Sequence, residues 1–174
     1  ALIIGAGLAG ASAAAALARM GWRCTVLDGH SRPAQGASGN PAGLFHGTVH
    51  AVDGAHARFT RAAALYAASC YRSLIDERRV SGAAEGLLRA NADPLPAHLP
   101  PDYARALHPD ELPLWAGAHA SRVSAMVYAG GGWIAPAELV NHWLNQPGVN
   151  FHGDRPVHRI QRGGPQWQAF SADG

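Results

Sequence analysis

The chain is 174 residues long, 48% hydrophobic and 15% charged, with 21 Gly and 12 Pro, which is the makeup of a turn-rich globular protein and excludes disorder. Its net charge of +2 points to no partner, and its 14 basic residues, all arginine, are spread from Arg19 to Arg162 as a solvated surface rather than a nucleic-acid stripe, so no DNA partner is expected. Cys24 and Cys70 have no neighbour at CxxC or metal-ligand spacing; the chain reads as cytoplasmic, with free thiols and no metal site.

The first 28 residues read as one β-turn-α-β unit. Leu2, Ile3 and Ile4 form a short buried strand, followed at once by Gly5-Ala6-Gly7-Leu8-Ala9-Gly10. In such a turn Gly5 permits the sharp reversal, Gly7 lets the backbone approach a pyrophosphate, and Gly10 lets the helix pack closely on its strand. The unpaired N–H groups of the helix N-terminus then supply an anion site without a lysine or arginine. Ala11 to Met20 continue as a small-residue helix, with Ala14 and Leu17 facing the sheet, and Gly21 ends it. Arg23 to Leu27 form a second strand ending in Asp28, eighteen residues after Gly10, where a carboxylate accepts hydrogen bonds from the ribose hydroxyls of an adenosine and disfavours a 2′-phosphate.

The uncharged run Ala1 to Ala18 is neither a signal peptide nor a membrane span, because alanine and glycine contribute little transfer energy and no basic segment precedes them. The chain starts inside a strand without an initiator Met, so the expectation is the N-terminal part of a larger fold.

After Asp28 comes a polar loop, Gly29 to Gly36, and then Ala37-Ser38-Gly39-Asn40-Pro41-Ala42-Gly43-Leu44-Phe45. Such a loop can place N–H groups, the Ser38 hydroxyl and the Asn40 amide along an elongated cofactor, with Leu44 and Phe45 as an apolar anchor. The GASGNPAG run behind an N-terminal GAGLAG resembles the flavin-dependent amine oxidoreductases related to D-amino-acid oxidase and glycine oxidase, and among them most the tRNA-modifying members. The resemblance implies FAD as cofactor. It places Gly36 to Gly43 along the pyrophosphate and toward the flavin, and gives the cofactor-binding set Gly5, Gly7, Leu8, Ala9, Gly10, Asp28, Ala37, Ser38, Gly39, Asn40, Gly43 and Leu44.

Ala55 to Arg79 is a helix with Phe59, Ala63, Tyr66, Cys70 and Leu74 at spacings of three and four, taken as its packing face. Gly86 to Ala90 reads as a strand, and six prolines break Asn91 to Gly117 into short helices and turns suited to a cap. Ser121 to Tyr128 returns to β-type sequence and leads into Gly130-Gly131-Gly132-Trp133-Ile134-Ala135-Pro136 and a helix from Ala137 to Leu144, with Pro136 near its first turn. The flavin family has a similar segment here, with Cys in its tRNA-modifying members where this chain has Ala135. Val149 to His152, Val157 to Gln161 and Gln166 to Phe170 read as a β-meander with turn signals at Gly163-Gly164 and Asp173-Gly174. The family's later Gly-x-Arg segment has no counterpart.

The expected architecture is therefore α/β, a FAD-binding Rossmann-like doubly wound domain with an inserted α+β substrate or cap region. Its expected divisions are 1–50 for the nucleotide-binding part, 51–148 for the cap and 149–174 for the meander.

The implied reaction is oxidation of an amine C–N bond, the donor being the carboxymethylaminomethyl group of a tRNA wobble uridine, with a fused or separate methyltransferase acting next. A free-standing oxidase of glycine, sarcosine or a D-amino acid remains open, as do a NAD-dependent dehydrogenase and a non-catalytic nucleotide-binding module. Because the cofactor carries the difficult step, an obligatory base need not appear in the sequence, and catalytic residues stay unassigned. His46 and Trp133 are the candidate substrate contacts, with His50 near the first of them.

Overall fold

The computed structural model describes residues 1–90, 94–111 and 124–171. In chain order the elements are β1 (Leu2–Ile4), α1 (Leu8–Arg19), β2 (Cys24–Leu27), a 3-10 turn (Ala37–Gly39), β3 (Gly43–Phe45), α2 (Ala55–Asp76), β4 (Gly82–Ala83) and β5 (Leu87–Ala90). They continue with β6 (Arg105–Ala106), a second 3-10 turn (Pro109–Glu111), β7 (Ala125–Tyr128), β8 (Gly132–Ile134), α3 (Pro136–Leu144), β9 (Val149–His152), β10 (Arg159–Gly163) and β11 (Gln166–Phe170). These elements form two compact units, Ala1–Ala42 with Ala135–Gly174, and Gly43–Ile134.

In the first unit β1, β2 and β9 form a parallel sheet in that order, with Leu2 opposite Thr25 and Cys24 opposite Val149. A parallel neighbour needs a crossover, and α1 supplies the one between β1 and β2. Its alanine run has the highest helix propensity, and Ala11, Ala14 and Ala15 are fully buried where larger side chains would hold the helix off the sheet. The N–H groups of Gly21 and Trp22 return to the carbonyls of Ala18 and Leu17, which closes α1 as the glycine predicted. Val140 and Leu144 of α3 join Ala14, Cys24 and Val26 in the same core, with Leu17 packed against it.

The units divide after Ala42 and Ile134 rather than at residues 50 and 148, because α3 and β9 return to the sheet that β1 began. For the same reason the meander is smaller than expected. Val149–His152 pairs with β2, and only β10 and β11 form the antiparallel hairpin, in register from Arg159 opposite Phe170 to Gly163 opposite Gln166. The Asp173-Gly174 turn signal lies outside the described residues, as do 91–93 and 112–123 from the proline-rich and β-type stretches.

The second unit holds two antiparallel sheets, β3-β8-β4 and β5-β7-β6. β7 is buried along its length, and Met126 and Tyr128 pack with Leu99, Tyr103 and Ala104. Helix α2 forms where its periodicity places it, yet its packing face differs from the sequence reading: Phe59 and Tyr66 are 72% and 64% exposed. Ala63 is exposed as well, while Cys70 and Leu74 are half-buried as expected; the inward side also takes in buried Ala57 and half-buried Ala64, Tyr71 and Ile75, and Tyr71 meets Phe45 edge to face at 5.0 Å. Leu44 is 76% exposed, so Phe45 alone of the expected apolar pair packs inward. Among the described residues no helix is long and apolar enough to cross a membrane.

Tyr103 and Tyr128 contrast within one core. The Tyr103 hydroxyl accepts from the Thr48 N–H at 2.9 Å and donates to the Thr48 carbonyl at 3.1 Å, whereas the buried Tyr128 hydroxyl has no partner among the described residues. An unpaired buried hydroxyl costs stability, so Tyr128→Phe should leave the urea midpoint unchanged or raise stability by about 1 kcal/mol. A drop would mean that the hydroxyl has a partner in solution.

Candidate nucleotide-binding site

Where β1 ends, Gly5 takes a φ of +97° and its N–H donates to the Leu27 carbonyl at 2.7 Å, fastening the turn to the end of β2. A side chain at Gly10 would overlap the Gly5 carbonyl oxygen, so only glycine lets the first turn of α1 sit on the strand it follows. The first-turn N–H groups of Leu8, Ala9 and Gly10 have no carbonyl one turn back. That of Leu8 donates to Ser38 Oγ at 3.0 Å, which leaves those of Ala9 and Gly10 as the remaining first-turn donors. The structure gives Gly7 a close neighbour: a Cβ there would stand 3.0 Å from Ser38 Oγ.

Ser38 reaches the turn because the loop after β2 folds back, with the Ala34 N–H donating to the Ala6 carbonyl at 3.0 Å. The 3-10 turn at Ala37–Gly39 is closed by the Gly39 N–H on the Gly36 carbonyl and the Asn40 N–H on the Ala37 carbonyl. Ala37, Gly39 and Asn40 are exposed.

Asp28 lies just beyond β2, its side chain 16% exposed. Oδ2 accepts the Ala6 N–H at 2.7 Å, which ties the acid to the glycine turn, while Oδ1 accepts the His30 N–H at 2.8 Å and lies 2.9 Å from His30 Nδ1. Burial raises the carboxyl's pKa, but the hydrogen bonds from Ala6 and from the His30 backbone and ring outweigh it and hold the group below the ordinary value.

One wall of this site was missed by the sequence reading. The loop between β9 and β10 packs on the Asp28 turn, with Arg155 N–H donating to the Asp28 carbonyl at 2.8 Å and Asp154 N–H to the His30 carbonyl at 3.1 Å. A Cβ on Gly153 would stand 2.5 Å from the Ser31 carbonyl oxygen, and that glycine, between His152 and Asp154, was the available signal. His30 itself carried none beyond its place two residues after the acid.

Gly5, Gly7, Leu8, Ala9, Gly10, Asp28, Ala37, Ser38, Gly39 and Asn40 thus belong to the first unit, and Gly43, Leu44, His46 and Trp133 to the second. There Leu44 stands opposite Trp133 across β3 and β8, both exposed, so the two side chains share one face of that sheet. The His46 ring stacks on Tyr128 with centroids 4.9 Å apart, its Nδ1 against the Gly47 carbonyl. His50 Nε2 lies 3.2 Å from Thr60 Oγ1.

A glycine turn opening a helix after a parallel strand, with an acid at the end of the next strand, defines the dinucleotide-binding class of α/β proteins. Comparison with known families narrows this: FAD dependent oxidoreductase (DAO) matches residues 1–174, and the chain belongs to that family. It is 41% identical over 183 aligned residues to the tRNA 5-methylaminomethyl-2-thiouridine biosynthesis bifunctional protein MnmC of Methylibium petroleiphilum, covering 98% of this chain and 27% of that protein. It is 37% identical to the protein of the same name in Polaromonas naphthalenivorans, covering 99% of this chain and 29% of that one. The chain thus spans between a quarter and a third of the length of these relatives.

Among solved structures it is similar in fold to glycine oxidase from Geobacillus kaustophilus, with a TM-score of 0.73 at 16% identity over 99% of this chain and 51% of that one. Iminodiacetate oxidase from Chelativorans sp. BNC1 gives a TM-score of 0.69 at 23% identity with the same coverages.

Two predictions follow from the turn and its acid. Gly10→Ala should unfold or grossly destabilise the first unit, read as loss of cooperative thermal unfolding, and an unchanged melt would contradict the close approach. Because Asp28's folded pKa is depressed, its contribution is present above the ordinary carboxylate pKa and lost as pH falls through the folded value. Asp28→Asn should therefore be less stable than the parent at neutral pH, with the gap closing below about pH 4. A gap independent of pH would contradict the assignment.

Proposed function

We propose that the glycine turn, the first turn of α1 and Asp28 hold the ADP half of FAD, and that the chain is the FAD-binding part of an amine oxidoreductase acting on CH–NH donors. The observation that carries this reading is the Asp28 carboxylate tied by the Ala6 N–H to the turn that opens α1, so that a ribose acceptor and a helix N-terminus belong to one rigid corner. The residues fit such a ligand. A Cβ has no room at Gly10, the N–H groups of Ala9 and Gly10 suit a diphosphate, and an acid suits a ribose without a 2′-phosphate. Membership in a FAD-dependent family favours FAD over NAD.

In this reading Ala37, Ser38, Gly39 and Asn40, followed by Gly43 and Leu44, run along the cofactor. The Ser38 hydroxyl fixes that loop to the helix start, and His46 and Trp133 belong to the substrate side. FAD held there would supply the acceptor for a hydride from the carbon next to the amine nitrogen, leaving an imine that water would hydrolyse. The protein's own part is to bind and orient the cofactor through backbone donors and one carboxylate.

The donor we propose is the carboxymethylaminomethyl group of a tRNA wobble uridine, on the support of relatives at 34–41% identity whose names place them in tRNA 5-methylaminomethyl-2-thiouridine biosynthesis. Their description as bifunctional supports a methyltransferase, fused or separate, as the partner activity. A cytoplasmic location accords with a tRNA substrate.

Anaerobic mixing of the flavin-loaded protein with tRNA carrying the carboxymethylaminomethyl group should bleach the flavin absorbance, while glycine or sarcosine at equal concentration should leave it. Bleaching by the free amino acids alone would transfer the proposal to a small-amine oxidase, and bleaching by neither would sink the amine reading.

A further inference from the structure

A carboxylate offers about four lone-pair positions, two on each oxygen. In Asp28 the described residues engage three, one on Oδ2 by the Ala6 N–H and two on Oδ1 by the backbone N–H and ring nitrogen of His30. A ribose diol brings two hydroxyl donors, and one open position cannot take both. The backbone donors are fixed: Ala6 lies in the glycine turn, and the His30 carbonyl is held by the Asp154 N–H at 3.1 Å. The imidazole is the donor able to leave, since its side chain is 65% exposed while that of Asp28 is 16% exposed.

We infer that the His30 imidazole is a built-in competitor for the adenosine ribose of the cofactor, holding Asp28 Oδ1 until the diol displaces it. The inference rests on the proposal that FAD seats its ribose at Asp28. Its consequence is an affinity that depends on the charge of His30. The imidazolium pairs with the carboxylate more strongly than the neutral ring does, so nucleotide binding weakens as the ring gains its proton.

Asp28 remains ionised over that range, because its hydrogen bonds hold it below the usual carboxylate value. The other charged side chains beside it are Arg32 on the same turn and Asp154 and Arg155 on the loop packed against it, and all three are retained in every variant below. His152, whose carbonyl accepts the Asp28 N–H at 3.1 Å, is likewise retained in every variant below.

The test is equilibrium binding of FAD, ADP and 2′,3′-dideoxy-ADP to the full chain, as the parent, His30→Ala and His30→Gln, at about pH 6 and about pH 8, on either side of a histidine's titration. His30 is exposed enough that both variants should keep the parent's thermal unfolding curve. At the lower pH His30→Ala should bind FAD and ADP about twofold to fivefold more tightly than the parent, the range of an exposed ion pair. The gain should shrink at the higher pH, and both variants should lose the parent's pH dependence. Dideoxy-ADP, which has no diol to offer, should bind parent and variants alike.

Unchanged or weaker FAD and ADP binding in His30→Ala, with a parent that binds both, would overturn the competitor role and leave the cofactor site standing. A parent that binds neither nucleotide would overturn both.

Discussion

The first unit depends on a contact that only a missing side chain allows. With no Cβ at Gly10, the start of α1 closes onto the Gly5 carbonyl, and the alanines at 11, 14 and 15 carry the same close packing along the helix. The first-turn N–H groups are then held in a fixed direction by the closed turn. A larger residue at Gly10 would lift the helix, loosen the core around Val26, and turn those donors out of line together. The packing of α1 and the direction of its first-turn donors therefore come from one constraint.

Asp28 couples that constraint to the rest of the unit. Its carboxylate receives the Ala6 N–H from the turn, its backbone N–H donates to the His152 carbonyl, and its own carbonyl receives the Arg155 N–H. An acid at the end of β2 is thus held at three points by two segments distant in the chain, the glycine turn and the stretch from His152 to Arg155, which suits a group that must present lone pairs in a set direction. The Ser38 hydroxyl performs a similar service for the loop after β2 by taking the Leu8 N–H. The second unit offers a different surface, with the exposed pair Leu44 and Trp133 on one sheet and His46 stacked on Tyr128.

What was legible in the sequence was local. The strand, glycine turn, small-residue helix and acid lie within 28 consecutive residues, and each has a short-range physical signature, so β1, α1 and β2 emerge with boundaries only a few residues off. Pro136 at the first turn marked α3 in the same way. Features decided by distant pairing were not legible. Val149–His152 has the composition of any short strand, and nothing within it reveals that its partner is β2 rather than β10. The periodicity of α2 predicted a helix but not which stripe faces inward, because Phe59 and Tyr66 are as apolar as the residues that pack, and the neighbouring sheets decide. At the candidate site the acid was found from its spacing, whereas His30 and the loop from Gly153 to Pro156 depend on contacts that only the folded chain creates.

The central claim is that one corner, built from the glycine turn, the α1 N-terminus and Asp28, receives the adenosine diphosphate half of a FAD molecule. Its most direct test is a crystal structure of the full chain grown with FAD. The account predicts the diphosphate beside the N–H groups of Ala9 and Gly10 and the ribose hydroxyls within hydrogen-bonding distance of the Asp28 carboxylate. Nucleotide bound elsewhere, or a diol turned away from Asp28, would contradict it.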